Sequence, residues 1–282
     1  MSIFPPRHSL SLTAAFQTLL PERMITMPDQ AYLRLQGVSK HFGTGEDAVK
    51  AIEDVSFSLQ KGAFLSILGP SGCGKTTLFN IIAGLIPPDA GSVTLEGESL
   101  VLSPGKTGYM LQKDLLLPWR TIRDNITLSQ TLHGVKPRAA LASAMPDVEA
   151  CGLSSMLKRR PDELSGGQRQ RAALVRTLQS GKELLLLDEP FGALDAITRL
   201  HLQQLLTKLC ISKGLTVLFV THDVDEALLL SDEILLMGAS PGRIIAHYHL
   251  EDPKPRTMQT LALPHMTAMK ADILTLLDEE GC

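Results

Sequence analysis

The stretch AFLSILGPSGCGKTTLFNIIAGL places Gly69 ahead of Gly74-Lys75-Thr76 with four residues between, in the pattern G-x-x-x-x-G-K-[ST]. An apolar run that reads as a buried strand precedes it, and a stretch with helical spacing follows. Such a loop suits phosphate chemistry. Gly72 and Gly74 let backbone N–H groups converge on phosphate oxygens without side-chain clashes, and the helix starting near Lys75 adds its positive dipole end. Lys75 is expected to reach the β- and γ-phosphates of a nucleotide, Thr76 to ligate Mg2+, and Thr77 to bond the α-phosphate. Pro70, Ser71 and Cys73 complete the loop. The bland alternative is a glycine-rich turn, and the strand–loop–helix context weighs against it.

ELLLLDEP is a second chemical signal. A buried strand delivers Asp188 and Glu189 at its carboxyl end, where α/β sheets place their ligands. Alternation along a strand points the two carboxylates differently. Asp188 suits a Mg2+ shell, and Glu189 suits a base that polarises an attacking water. A third signal is LSGGQRQRAALVRTL. Ser165 and Gln168 form an S-x-x-Q capping box, which explains those two residues without any ligand. It leaves Gly166 and Gly167 unexplained, because each Gly costs a helix interior about 1 kcal/mol relative to Ala. Bare backbone at a helix start is an anion site. Since the phosphate loop already cradles a nucleotide within the chain, this second site reads as serving a nucleotide held by another copy.

These residues need an α/β frame. Residues 31 to 68 read as strands and turns, with AYLRLQGVSKHF alternating and HFGTGED a loop. TTLFNIIAGL reads as a helix stopped by Gly84, and GSVTLEG as a strand. From about Lys113 to Glu163 helical spacing replaces strand texture. Strands return at ELLLLDEP and GLTVLFVTHD, each beside a helical stretch, and EILLMG and RIIAHYHL read as a closing pair. Alternating strands and helices predict a largely parallel sheet. The expected organisation is a weakly ordered extension over 1–29, a main domain over 30–250 with a helical subdomain near 113–163, and a short tail over 251–282, briefly helical at ADILTLLDEE.

The chain has 282 residues, 44% hydrophobic and 20% charged, with a formal charge of −3. No basic block marks a nucleic-acid footprint. No apolar run approaches the ~18 residues of a spanning helix. The four cysteines (Cys73, Cys151, Cys210 and Cys282) form no C-x-x-C pair and read as free thiols.

LSGGQ together with GPSGCGKT and LLLLDEP resembles the ATP-binding cassette family of transport ATPases, over roughly residues 31 to 245. The resemblance implies a RecA-like P-loop NTPase core with a mostly parallel sheet, an antiparallel β subdomain and an inserted helical subdomain. It implies ATP and Mg2+ as ligands, sandwiched between one copy's phosphate loop and the other's LSGGQ. Gln112, in GYMLQKD, resembles the glutamine that reaches Mg2+ and the attacking water. His222, in FVTHD, resembles the switch histidine that bonds the γ-phosphate. Asp195, in GALD, resembles the loop crossing the dimer interface. Phe42, in VSKHF, resembles the aromatic that stacks on adenine, although Tyr is commoner there. Implied partners are a second copy, separate integral-membrane permease subunits on the cytoplasmic face of the cell membrane and, indirectly, a solute-binding protein. LLPWRTIRDNI and SPGRI resemble importer ATPases for nitrate, taurine, alkanesulfonates and thiamine precursors. The alternative class is a non-transport cassette ATPase acting on nucleic acid or ribosomes. Such chains carry long coiled-coil insertions or two cassettes, and neither is seen here.

Overall fold

The structure is a computed structural model that describes residues 31–43, 48–192, 194–239 and 241–280. The expected N-terminal extension over 1–29 and Cys282 lie outside them. In chain order the strands are β1 (Leu33–Phe42), β2 (Val49–Leu59), β3 (Phe64–Leu68), β4 (Ala90–Leu95), β5 (Glu98–Ser99), β6 (Gly108–Met110), β7 (Leu184–Asp188), β8 (Thr216–Val220), β9 (Glu233–Gly238) and β10 (Arg243–His249). The helices are α1 (Lys75–Ile82), α2 (Ile122–Ile126), α3 (Leu128–Leu132), α4 (Pro137–Ala150), α5 (Gly166–Leu178), α6 (Ala196–Lys213), α7 (Val224–Leu230), α8 (Met258–Leu261) and α9 (Pro264–Glu280).

Two sheets result. The smaller is antiparallel, in the order β2-β1-β4-β5, and the larger runs β10-β9-β3-β8-β7-β6. In the larger sheet only the edge strand β10 is antiparallel to its neighbour. The mixed α/β fold with a mostly parallel sheet is therefore as expected.

β3, β7 and β8 are buried along their whole length, as strands covered on both faces must be. The four leucines of β7 show the two-residue period directly. Leu185 and Leu187 join a core with α2, α4 and α5. Leu184 and Leu186 face the other way, into a core with α1 and the antiparallel sheet. A third core packs α7, β9 and β10 against α9 through Met266 and Ile273.

Between β6 and β7 the chain is helical, and its side chains Ile122, Ile126, Ala144 and Val148 pack on α5 residues such as Ala172 and Val175. Buried Asn125 organises the entry, accepting from Leu117 N and donating to the carbonyls of Leu117, Arg120 and Thr121. The C-terminal segment departs from expectation. Instead of a brief helix over 271–280, α9 begins seven residues earlier at Pro264. A proline there does not break the helix, because the first helical position has no intrahelical use for its N–H. Arg256, 4% exposed, anchors this segment by donating to the carbonyls of Leu228, Ser231, Leu250 and Asp252.

Candidate functional site

The glycines of the phosphate loop are fixed by two different constraints. A Cβ on Gly69 would lie 2.3 Å from the Met237 carbonyl oxygen, and one on Gly74 would lie 2.6 Å from that of Ala51. Gly72 instead meets nothing, and its φ of +84° is the reason for glycine there. The loop hands over to α1 at Lys75, which is buried and donates from Nζ to the Gly69 and Pro70 carbonyls at 2.7 Å each. Cys73 is buried beneath the loop, its Sγ 3.5 Å from the same ammonium.

A cleft of about 320 Å³ opens above this loop. Ser71, Gly72, Gly74, Lys75, Thr76 and Thr77 line one side; Gln112, Asp188 and Glu189 line the other. Topology explains the meeting. β3, β8, β7 and β6 are parallel neighbours, so the phosphate loop, His222, the Asp188–Glu189 pair and Gln112 all follow the carboxyl ends of adjacent strands.

Asp188 and Glu189 do diverge, but strand alternation is only part of the cause. Glu189 has a φ of +46°, a left-handed conformation that costs a non-glycine residue about 1–3 kcal/mol. Its N–H is tied to the Val220 carbonyl at 2.9 Å. This turn aims its carboxylate at two groups from other strands: Gln112 Nε2 donates to Oε2 at 3.1 Å, and His222 Nδ1 lies 3.3 Å from Oε1.

Asp188 stays in the cleft floor, where Thr76 Oγ1 is 3.4 Å from its Oδ2. Burial, reinforced by the charge of Glu189, pushes the Asp188 carboxyl up to about 6. A buried acid beside a second acid is an environment short of positive charge. Its carboxylate and hydroxyl oxygens are donors that suit a hard cation such as Mg2+.

The remaining predicted residues do not line this cleft. Ser165 and Gln168 make both bonds of the capping box, at 3.3 and 2.9 Å. A Cβ added to Gly166 would meet nothing nearer than Arg169 Nη2 at 3.9 Å, so nothing in its own chain requires glycine there. Gly167 lies in the same first turn of α5. Asp195 caps α6, accepting from Thr198 N at 3.0 Å; these bonds hold its carboxyl below the usual range. Phe42, 46% exposed, ends the β1–β2 hairpin whose Ala51 abuts Gly74; the Lys40 ammonium sits 5.7 Å from its ring centroid.

Several supporting residues carry no sequence signal strong enough to find them. Gln170 donates to the Glu189 carbonyl at 3.3 Å. Arg169 and Arg176 hold the loop after Gln112, through Asp114 Oδ2 and the carbonyls of Asp114 and Leu115. Glu226 accepts from Thr221 Oγ1 at 2.6 Å, which in turn accepts from Asp223 N, bracketing His222. Gly242 touches the phosphate loop itself: a Cβ there would be 2.0 Å from the Cys73 carbonyl oxygen. Gly242 of the SPGRI stretch thus has a structural duty that its sequence did not disclose.

A phosphate loop between a buried parallel strand and a helix, facing acids at the next strand ends, defines a P-loop nucleotide-binding protein. The family profile described as ABC transporter matches residues 52–192. The aliphatic sulfonates import ATP-binding protein SsuB of Bacillus cereus is 41% identical over 228 residues, 80% of this chain and 90% of that protein. The taurine import ATP-binding protein TauB of Escherichia coli is 45% identical over 195 residues, 69% of this chain and 76% of that one. Among solved structures, the dimeric ATP-binding cassette MJ0796 in a post-hydrolysis state, bound to ADP and Pi, superposes with a TM-score of 0.72 at 29% identity, over 78% of this chain and all of that one. This chain belongs to the ABC transporter family and is one of its ATPases.

Proposed function

We propose that this chain is the ATP-hydrolysing subunit of an importer for small organic sulfonates, acting as a pair of copies on separate permease subunits at the cytoplasmic face of the cell membrane. The observation that carries the chemistry is the convergence of Gln112 and His222 on Glu189, across the cleft from Lys75 and Thr76. Lys75 and the loop N–H groups bind the nucleotide phosphates. Thr76, Asp188 and Gln112 hold Mg2+, which supplies charge neutralisation on the phosphates. Glu189 orients the attacking water and takes up its proton, with Gln112 and His222 fixing the carboxylate. Phe42 offers a ring face to the adenine.

The Ser165–Gln168 segment and Asp195 of a second copy complete the pocket. Gly166 supports that reading, because its missing side chain has no intramolecular cause. The dimeric cassettes among the structural relatives support it too. The domain limits follow the same logic: a cassette over 30–250 whose helical part, near 113–163, forms a permease-facing surface. Leu115 and Trp119, 53% and 69% exposed, are the apolar groups it presents beside Gln112.

No helix among the described residues is long and apolar enough to cross a membrane, so spanning subunits are assigned to other chains. The cargo class rests on the sulfonate and taurine importers among the relatives, with a solute-binding protein delivering it. No finding favours the nucleic-acid or ribosome alternative. The test is growth on taurine and on alkanesulfonates as sole sulfur source, with and without this gene. Uptake that survives its loss overturns the cargo assignment.

A further inference from the structure

At the edge of the six-stranded sheet, β10 sets His247 and His249 two residues apart on one strand face, and the ladder pairs His249 with Glu233 of β9. His247 Nε2 lies 2.7 Å from Glu233 Oε2, and His249 Nδ1 lies 3.9 Å from the same oxygen. The imidazole centroids are 4.3 Å apart. One ligand atom from each of the three residues lies within 4.8 Å of the others. We propose that Glu233, His247 and His249 form a binding site for a divalent transition-metal ion of the zinc class, separate from the nucleotide cleft.

The distances fit a metal. Zinc holds His nitrogen and carboxylate oxygen at about 2.0–2.2 Å, which sets tetrahedral ligand atoms about 3.3–3.6 Å apart. The two observed separations, 2.7 and 3.9 Å, bracket that value, so small side-chain rotations suffice. Both imidazoles approach the same carboxylate oxygen, so one ion placed between them can be reached by all three side chains.

The donor set also selects the metal. Imidazole with carboxylate suits Zn2+, Co2+ or Ni2+, while Mg2+ and Ca2+ prefer oxygen alone. Glu233 and His247 are half-buried, at 16% and 18% exposure of their side chains, and the β9–β10 ladder fixes their backbones. His249, at 59%, faces the approach route. Three protein ligands leave a fourth position for water or a group from a partner. None of the three residues lines the nucleotide cleft, so the ion would clamp the sheet edge without entering hydrolysis.

The test uses the full chain without nucleotide, with Mg2+ in excess to saturate the Asp188 region. Co2+ is titrated by its visible absorption and Zn2+ by calorimetry. The expected result is saturation at one equivalent, with affinity falling about tenfold or more in His249→Ala and in Glu233→Gln. Zn2+ should raise the thermal midpoint of the parent chain but not of the variants. His249 is exposed, so its variant should fold, and its ATP turnover with Mg2+ but no added Zn2+ or Co2+ should match the parent. Absence of saturable binding overturns the proposal. So does binding that survives both substitutions, or binding that disappears only with Cys282→Ser.

Discussion

Gln112 Nε2 donates to Glu189 Oε2 at 3.1 Å, joining two residues 77 positions apart at the ends of adjacent parallel strands. Two residues beyond Gln112 the chain is gripped by α5: Arg176 donates to the carbonyls of Asp114 and Leu115 at 2.6 and 2.7 Å. The segment that carries the exposed Leu115 and Trp119 is thus bonded to the helix that begins at Gly166, and it follows directly on the glutamine that meets the Glu189 carboxylate.

Arg176→Ala should separate hydrolysis from transport. Burial holds the Arg176 guanidinium below its ordinary pKa, and its removal leaves two backbone carbonyls to find water. In the assembled transporter, uptake per ATP hydrolysed should fall several-fold while the isolated subunit still binds ATP normally. Uptake measured against phosphate release checks this, and an unchanged ratio would remove Arg176 from the transmission route.

Glu189→Gln should lower turnover by about 100-fold or more, the usual worth of a positioned base. The amide retains a carbonyl oxygen for the Gln112 bond, so the cleft keeps its shape and its ATP. Phosphate release should vanish while ATP with Mg2+ drives two copies together, seen as a doubled mass by light scattering. A mass that stays single at high concentration, with the permease also present, contradicts the paired-copy account.

Asp188→Asn should trade activity for stability. In the fold this carboxyl rises from 3.8 toward about 6, so the folded state holds the proton more tightly than the unfolded chain. The resulting penalty is absent below pH ~4, grows between pH ~4 and ~6, and is full above that. In EDTA at pH 8 the Asn variant should melt several degrees higher than the parent, and the gap should close toward pH 4. Its Mg2+-dependent ATP hydrolysis should be lost. Equal midpoints at pH 8 would mean that the charge is not poorly accommodated.

Much of this was legible because it depends on local pattern. The phosphate loop needs only its spacing, and Leu184–Leu187 announce a strand covered on both faces because every one of them is apolar. What escaped depends on approach between distant segments. Gly242 reads as a turn residue until the Cys73 carbonyl is seen against it, and Glu189 reads as an ordinary strand end until its positive φ is measured. Arg256 belongs to no motif in the sequence, yet it is buried among four carbonyls. The tail's helix was underestimated for the same reason: Met266 and Ile273 are buried by α7, β9 and β10, not by local sequence.

Gly242→Ala should weaken nucleotide binding although Gly242 does not itself line the nucleotide cleft. A methyl group 2.0 Å from the Cys73 carbonyl oxygen forces one of two backbones to move, at a cost of about 1–3 kcal/mol. With the phosphate loop displaced by the methyl group, ATP affinity should fall about tenfold, which corresponds to ~1.4 kcal/mol. Fluorescent-nucleotide titration and a thermal melt check both effects. A variant with parental affinity would show that the turn is not what supports the loop.

Gly166→Ala separates what a glycine does for its own chain from what it does for a neighbour. Within the chain the added methyl meets nothing nearer than 3.9 Å, and alanine favours a helix over glycine by up to about 1 kcal/mol. The variant should therefore be as stable as the parent or slightly more so, and it should bind ATP normally in its own cleft. Turnover should nevertheless fall about tenfold or more, because a second copy's phosphate can no longer approach the bare helix start. Mixing it with a Lys75→Ala chain sharpens the result. In a mixed pair, the pocket formed by the intact Lys75 of the Gly166→Ala chain and the intact Gly166 of the Lys75→Ala chain is whole, so phosphate release should partly recover. Recovery could not arise if each copy completed its own site, and its absence alongside unchanged turnover in Gly166→Ala alone would return the two glycines to a purely local explanation.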